Sequence, residues 1–255
     1  MIRDEQTSIE MRKAVNKVIL ATNNGDWVYV RKVGPEIWRT YFSDFKILPE
    51  ELDVLEALAQ VFHECDLRDE YQRVAKALKN RPKAFVLPKG DTHFLPFVEN
   101  GKYQIAQRLA AYKYVHEWDL ALDVGAHVGF WTNCMAARFE SVHSFEPNPE
   151  TLNCLIQNKA SNVVAHNFAL GDCDRASFLA LPEGGNKTTS SGAWEISDDE
   201  DKAFYPIEIR TMDSLGLAPN FIKIDVQGFE LQVLEGALET IMRHRPIIIV
   251  EMVVH

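Results

Sequence analysis

The apolar residues of this chain change rhythm along its length, and the change separates two kinds of structure. Up to about residue 95 the spacing is mostly helical. In LPEELDVLEALAQVFHECD, Leu52, Leu55, Leu58, Ala59 and Phe62 recur every three or four positions, which puts them on one face of a helix, and Glu50 and Glu51 suit its positive end. The stretch from Val18 to Gly34 instead predicts a hairpin around Asn24-Gly25, a dipeptide favoured in two-residue turns. RPKAFVLPKGDTHFLPFVENG is rich in turn residues and sets a boundary between residues 81 and 101.

Beyond that boundary short apolar runs alternate with amphipathic ones. IAQRLAAYKYVHEW reads as a helix, DLALDVG as a buried strand, FWTNCMAARF as a helix, SVHSFEP as a strand, NPETLNCLIQNK as a helix and NVVAHNFALGD as a strand. Further on come the strand FIKIDVQG, the helix FELQVLEGALETIMRH and the strand PIIIVEM. Such alternation builds a mostly parallel α/β sheet with helices on both faces. RASFLALP, SGAWEI and PIEIRTM interrupt it as shorter β segments around the polar loop GGNKTTSSG. The expected organisation is a mainly helical region over 1–95, with an acceptor-binding or oligomerisation role, followed by an α/β domain over 96–255.

Composition narrows the function. At 255 residues, with 46% apolar and 25% charged residues, the chain has ordinary globular composition. The net charge is -10 and nearly all of the excess acid lies after residue 100, which opposes binding to a nucleic-acid backbone. The start, MIRDEQTSIE, lacks a signal-peptide core, and no run approaches the ~18 apolar residues of a membrane span, so a cytoplasmic location away from membranes is expected. Cys65, Cys134, Cys154 and Cys173 are scattered without metal-finger spacing and read as reduced thiols.

The chemistry emerges when the strands are aligned by their last residues, Asp123, Glu146, Asp172, Asp225 and Glu251. In open α/β sheets ligands bind outside the carboxyl ends of the strands, so these acids are expected to surround one crevice. Singly, each is an ordinary helix cap. Together they oppose a pyrophosphate, since two like charges ~5 Å apart at an effective dielectric of ~20 repel by ~3 kcal/mol. They favour a cation or a ligand rich in hydroxyl and amino donors. S-adenosylmethionine fits, with its sulfonium, ammonium and ribose diol. Asp123 is placed to accept from the ammonium, Gly125 and Gly129 to let the methionine part approach the backbone, and Glu146 to accept both ribose hydroxyls. LDVGAHVGFWT lacks the third glycine of a dinucleotide fingerprint.

LDVGAHVGFWT, SFEPNPETLNCLIQN, HNFALGD, IRTMDSL, FIKIDVQGFELQVLEGA and RPIIIVE occur in that order, and through them the chain from about Tyr103 to Glu251 resembles FkbM-type methyltransferases, a Rossmann-like branch of the class I S-adenosylmethionine enzymes. The resemblance implies that His127 joins Asp123, Gly125 and Gly129 in the methionine loop, that Pro147 and Asn148 lie beside Glu146, and that Ala169, Leu170 and Asp172 lie near the adenine. It further implies that Tyr103 or Gln104 closes over the cofactor, and that Asp225 stands at the reacting methyl group as the base. Glu230 and Glu251 are the next candidates for that role and His255 follows them. Trp194 and the 184–192 loop are expected to shape the acceptor pocket.

The implied reaction is O-methylation of a hydroxyl on a sugar or other small-molecule acceptor. No cluster of histidines and carboxylates has metal spacing, so a metal-independent reaction is expected, with Asp225 plus Glu251 as the one place for a magnesium ion. Two departures from the family pattern matter. Gln227 stands where the motif I-K-I-D-V-E-G has an acid, and the sequence stops at EMVVH, where class I enzymes continue with a helix and a hairpin. Either the N-terminal segment completes the sheet, or a second copy of the chain covers its short edge. Two alternatives stay open: methylation of an RNA ribose using Lys223 with Asp225, and a non-catalytic cofactor-binding or assembly domain.

Overall fold

The computed structural model of the chain describes residues 5–23, 27–41, 55, 58–59, 61–62, 67–69, 71–72, 85–100, 103–136, 138–181, 191–192 and 194–251. Two helices come first, α1 (Glu5–Asn23) and α2 (Trp27–Tyr41). Met11, Val15 and Val18 recur at helical spacing on α1 and pack in one buried cluster with Val30, Ile37 and Trp38 of α2 and with Leu55, Leu58 and Phe62. Helix therefore replaces the hairpin expected between Val18 and Gly34, because burying an apolar stripe between helices outweighs a local turn signal. Asn24 and Gly25, like Glu50, Glu51 and Leu52, lie outside the described residues.

The α/β part runs α3 (Leu95–Asn100), α4 (Ile105–Tyr112), β1 (Leu120–Val124), α5 (Phe130–Ala136), β2 (Ser141–Phe145), α6 (Pro149–Asn158) and β3 (Val163–His166). After β4 (Ala169–Leu170), β5 (Arg175–Ala180), β6 (Glu195–Ser197) and β7 (Tyr205–Arg210) come β8 (Phe221–Ile224), α7 (Glu230–Glu235), α8 (Leu238–His244) and β9 (Ile247–Val250). Five strands form a wholly parallel sheet in the order β3-β2-β1-β8-β9, the layout of a Rossmann-like fold. Every residue of β8 is buried, as expected where helices cover both faces of a parallel sheet. Ala121 and Phe221 pack with Tyr112, Trp131 and Phe139 on one face. Leu122, Val124, Ile222 and Ile224 pack with Met212 and Val233 on the other.

Two expected elements divide. NVVAHNFALGD is not one strand: β3 ends at His166 in the main sheet, whereas β4 pairs with β7 in a second sheet ordered β4-β7-β5-β6. Asp172 therefore follows a strand of the second sheet and is exposed, outside the ring of strand-end acids. FELQVLEGALETIMRH breaks into α7 and α8 because Asp213 inserts at the join. The Asp213 backbone N–H donates to the Gly236 carbonyl, and its carboxylate accepts from Glu239 N at 3.0 Å and Thr240 N at 2.8 Å, capping α8.

The first helices dock far from the carboxyl ends of the strands. Arg12 Nη1 donates to the Ala136 carbonyl at the end of α5 (2.5 Å), and Lys13 pairs with Glu140, the residue before β2 (2.6 Å). The residues that reach the other end of the sheet are Asp91 to Asn100, which include α3, and Tyr103 with Gln104. They are preceded by Val86, whose backbone N–H and carbonyl both bond the Asn158 side chain.

Candidate active site

Connections leave β1 and β8 in opposite directions across the sheet, so the loops after Val124 and Ile224 diverge and leave a crevice at the carboxyl ends of these strands. The crevice has an apolar end, where Ala169, Leu170, Leu179 and Trp194 line it, and a charged end at Lys223 and Asp225. His127, Glu146, Pro147 and Asn148 form the wall between them.

At the charged end the sheet register places Ser144, Asp123 and Lys223 side by side on three neighbouring strands. Asp123 is 0% exposed and Lys223 5%. Lys223 Nζ lies 3.4 Å from Asp123 Oδ1 and 3.4 Å from Asp225 Oδ2, and donates to the Gly125 carbonyl at 3.0 Å. Burial opposes the ammonium charge, but Asp123 and then Asp225 outweigh it and hold the lysine pKa above its ordinary value. For Asp123, burial raises the carboxyl pKa against the opposing pull of Lys223 and Thr132. Thr132 gives its one hydroxyl hydrogen to Asp123 Oδ2 at 2.6 Å, so Ser144 is the donor in its 3.0 Å contact with Thr132. Beyond the ion pair, Asp123 Oδ1 has no hydrogen-bond partner.

The glycines of the first loop serve packing as well as access. A Cβ on Gly125, at φ +75°, would stand 1.9 Å from the Asp225 backbone carbonyl, so glycine lets the β1 and β8 loops touch. Gly129 is turned away from the crevice, and a Cβ there would meet Leu155 Cδ1 at 2.7 Å. Between them His127 takes a left-handed φ of 52°, which aims its backbone N–H at Glu146 Oε2 (2.7 Å). Glu146 Oε1 accepts from Asn148 N at 2.9 Å. Glu146 is only 8% exposed yet lines the crevice, and each of its oxygens keeps capacity for a further donor. Burial raises its pKa against these hydrogen bonds.

His127 closes the crevice on its outer side. Its Nε2 lies 2.6 Å from Ser191 Oγ, and the Ser191 hydroxyl donates to Asp91 Oδ2. Asp91 also accepts from Ser191 N at 2.9 Å and from Phe94 N at 3.0 Å. With the serine hydrogen committed to the carboxylate, the proton of the histidine contact sits on Nε2. Burial pushes the His127 pKa down to about 4, so the ring is neutral at pH 7.

The remaining expected residues fall into two groups. Gln104 and Glu251 meet at the rim: Gln104 Oε1 accepts from Trp131 Nε1 at 2.6 Å, and Gln104 Nε2 donates to Glu251 Oε2 at 2.8 Å. Glu230 turns into its own loop, accepting from Val226 N (3.2 Å) and Gly228 N (3.1 Å), and is 9% exposed. That arrangement stabilises the turn after β8 and takes Glu230 away from a candidate base position. His255 lies outside the described residues, as do residues 184–190 of the expected 184–192 acceptor loop. Sequence reading assigned no place here to Asp91 or Phe94, and named Ser191 only as part of the 184–192 loop. Lys223 alone carried a visible signal, a lysine inside an otherwise apolar strand.

Among the described residues, no group of three or more His, Cys, Asp or Glu side chains is arranged to hold a metal ion, and no helix is long and apolar enough to cross a membrane. A family model described as a methyltransferase FkbM domain matches residues 123–253. Over 127 residues the sequence is 28% identical to the hexuronic acid methyltransferase AglP of Haloferax volcanii, covering 47% of this chain and 48% of that one. The chain thus spans about half the length of the curated relative it matches. The crystal structure of methyltransferase FkbM from Methylobacillus flagellatus KT aligns with a TM-score of 0.38 at 20% identity, over 80% of this chain and 44% of that one.

Proposed function

This chain belongs to the FkbM methyltransferase domain family, and from that premise we propose that it transfers a methyl group from S-adenosylmethionine to a hydroxyl of a sugar or similar small metabolite. The observation that carries the reading is Glu146, a buried carboxylate that lines the crevice with both oxygens pinned by backbone N–H groups. Fixed in this way it is suited to accept both hydroxyls of a ribose. The two carboxylates Asp123 and Asp225 share the single lysine Lys223, which leaves net negative charge beside a cationic ligand. Ala169, Leu170 and Trp194 offer an apolar end for a base.

When bound, S-adenosylmethionine supplies a methyl group already activated on a sulfonium. The chain then has to orient the acceptor and remove its proton. Asp225 is the proposed base. Its Oδ1 accepts from Gln227 Nε2 at 3.0 Å and its Oδ2 faces Lys223, so both oxygens are oriented. The amide of Gln227 can donate to Asp225, whereas an acid there would repel it. The departure from the family motif is therefore compatible with a charged Asp225. The hexuronic acid relative supports a sugar as the acceptor class. The RNA alternative shares the Lys223–Asp225 pair, and the net charge of -10 is what speaks against it.

The test is transfer of labelled methyl from S-adenosylmethionine to panels of hydroxylated and amine acceptors. Incorporation into hydroxyl compounds is expected. Transfer to amines alone would end the O-methylation reading, and binding of the cofactor with no transfer at all would favour the non-catalytic one.

A further inference from the structure

An outer cleft adjoins the crevice and shares with it Phe94, Tyr103, Asp225 and Gln227. Its own lining includes Phe97, Gln104 and Glu251. Asp225 thus stands where the two spaces meet. We propose that the outer cleft holds the methyl acceptor, and that it selects a sugar ring carrying hydroxyl or amino groups and no carboxylate. This inference rests on the methyltransferase reading above, adds charge selection to it, and sets this chain apart from the relative named for hexuronic acid, a sugar that carries a carboxylate.

Two features of the cleft argue for a sugar. Phe94, Phe97 and Tyr103 form a cluster, with ring centroids 5.2 Å apart for Phe97 and Tyr103 and 6.0 Å for Phe94 and Tyr103. Aromatic rings of this kind give a rigid apolar wall for the C–H face of a sugar. The polar side carries two carboxylates, two amides and one imidazole, Asp225, Glu251, Gln104, Gln227 and His93, which together accept from and donate to ring hydroxyls.

The charge preference follows from the same lining. Trp131 Nε1 can only donate, so its bond to Gln104 Oε1 fixes the amide and leaves Gln104 Nε2 to hold Glu251. Gln104 keeps this position at a left-handed φ of 47°, and its side chain bonds at both ends. Glu251 is in this way presented to the cleft as an oriented carboxylate. Among the described residues lining either space, Lys223 is the one lysine or arginine, and it is committed to Asp123 and Asp225. Among the described residues, an acceptor carboxylate would meet Asp225 and Glu251 with no free lysine or arginine and only the exposed His93 imidazole beside them, whereas an ammonium or a hydroxyl would be attracted.

The experiment compares kcat/KM for three matched acceptors: a neutral hexopyranoside, its 2-amino analogue and its 6-carboxylate, with the methylated products weighed by mass spectrometry. The neutral and amino compounds are expected to exceed the carboxylate by ~10-fold or more, the scale of a like-charge penalty. Glu251→Gln retains an oxygen to accept from Gln104 and removes only the charge, so it is expected to narrow that ratio several-fold. Equal or faster methylation of the carboxylate, or a ratio unmoved by E251Q, would overturn the inference while leaving the methyltransferase reading intact. Methylation of none of the three by protein that binds the cofactor would overturn the sugar-hydroxyl reading itself, and this inference with it.

Discussion

Asp123 and Lys223 sit directly opposite one another on adjacent parallel strands, 3.4 Å apart and almost fully buried. The pair joins β1 to β8 at the point where their loops part, so the charges that shape the crevice also hold its floor together. Removing one member leaves the other charge stranded in the interior. Lys223→Met is expected to cost about 3–5 kcal/mol in urea unfolding, and Lys223→Met with Asp123→Asn distinctly less than the sum of the two single changes. Strict additivity would mean that the two side chains do not interact.

The depressed pKa of His127 makes a pH prediction. The folded ring titrates at about 4 and the unfolded one near its ordinary 6.5, so between these values the unfolded chain binds more protons. This contribution to stability is therefore complete above pH 6.5 and falls as the pH drops towards 4. Between pH 7.5 and pH 5 it amounts to about 2 kcal/mol. His127→Asn, which tolerates the left-handed φ, should remove this part of the pH dependence, read as the wild-type minus variant difference in urea stability at the two pH values.

Gly125→Ala is expected to damage the site more than an ordinary turn change. The new methyl would meet the Asp225 carbonyl and drive the two loops apart, whereas a Cβ on Gly216, at φ +62°, meets nothing within 4 Å. Gly216→Asn should cost no more than about 1 kcal/mol. Gly125→Ala should cost several times that in unfolding experiments and lower cofactor affinity in calorimetry.

The parallel sheet was legible because buried strands and amphipathic helices alternate in the sequence, and four of the five strand-end acids stand at the crevice side of the main sheet. The exception, Asp172, was misplaced because the apolar run of NVVAHNFAL resumes directly after His166 and Asn167, where the chain leaves one sheet for the other. Pairing between distant residues was beyond local reading. Ser191 and Asp91 are 100 positions apart, and nothing near either announces the bond that ties them to His127. The partnership of Lys223 with Asp123 depends on strand register, which one sequence does not specify. Gly125 was read for ligand approach, but the nearest obstruction is the chain itself.

Asp225 and Glu230 should separate in kinetics. Asp225→Asn is expected to lower kcat by about 10²–10⁴, the usual worth of a general base, with cofactor affinity within a few-fold. Glu230→Ala removes an acceptor from two loop N–H groups and should cost about 1–3 kcal/mol of stability, with kcat at low temperature much less affected. Equal losses of kcat would show that both act through the loop.

The most direct measurement is thermal unfolding with S-adenosylmethionine, S-adenosylhomocysteine and NAD in parallel. At 100 times its dissociation constant a ligand adds ~2.7 kcal/mol, which for a protein of this size raises Tm by ~5 to 10 °C. A rise of that order with both adenosyl ligands, none with NAD, and its loss in Glu146→Ala is the predicted result. Stabilisation by NAD, or none by either adenosyl ligand at saturating concentrations, would contradict the assignment of this crevice to S-adenosylmethionine.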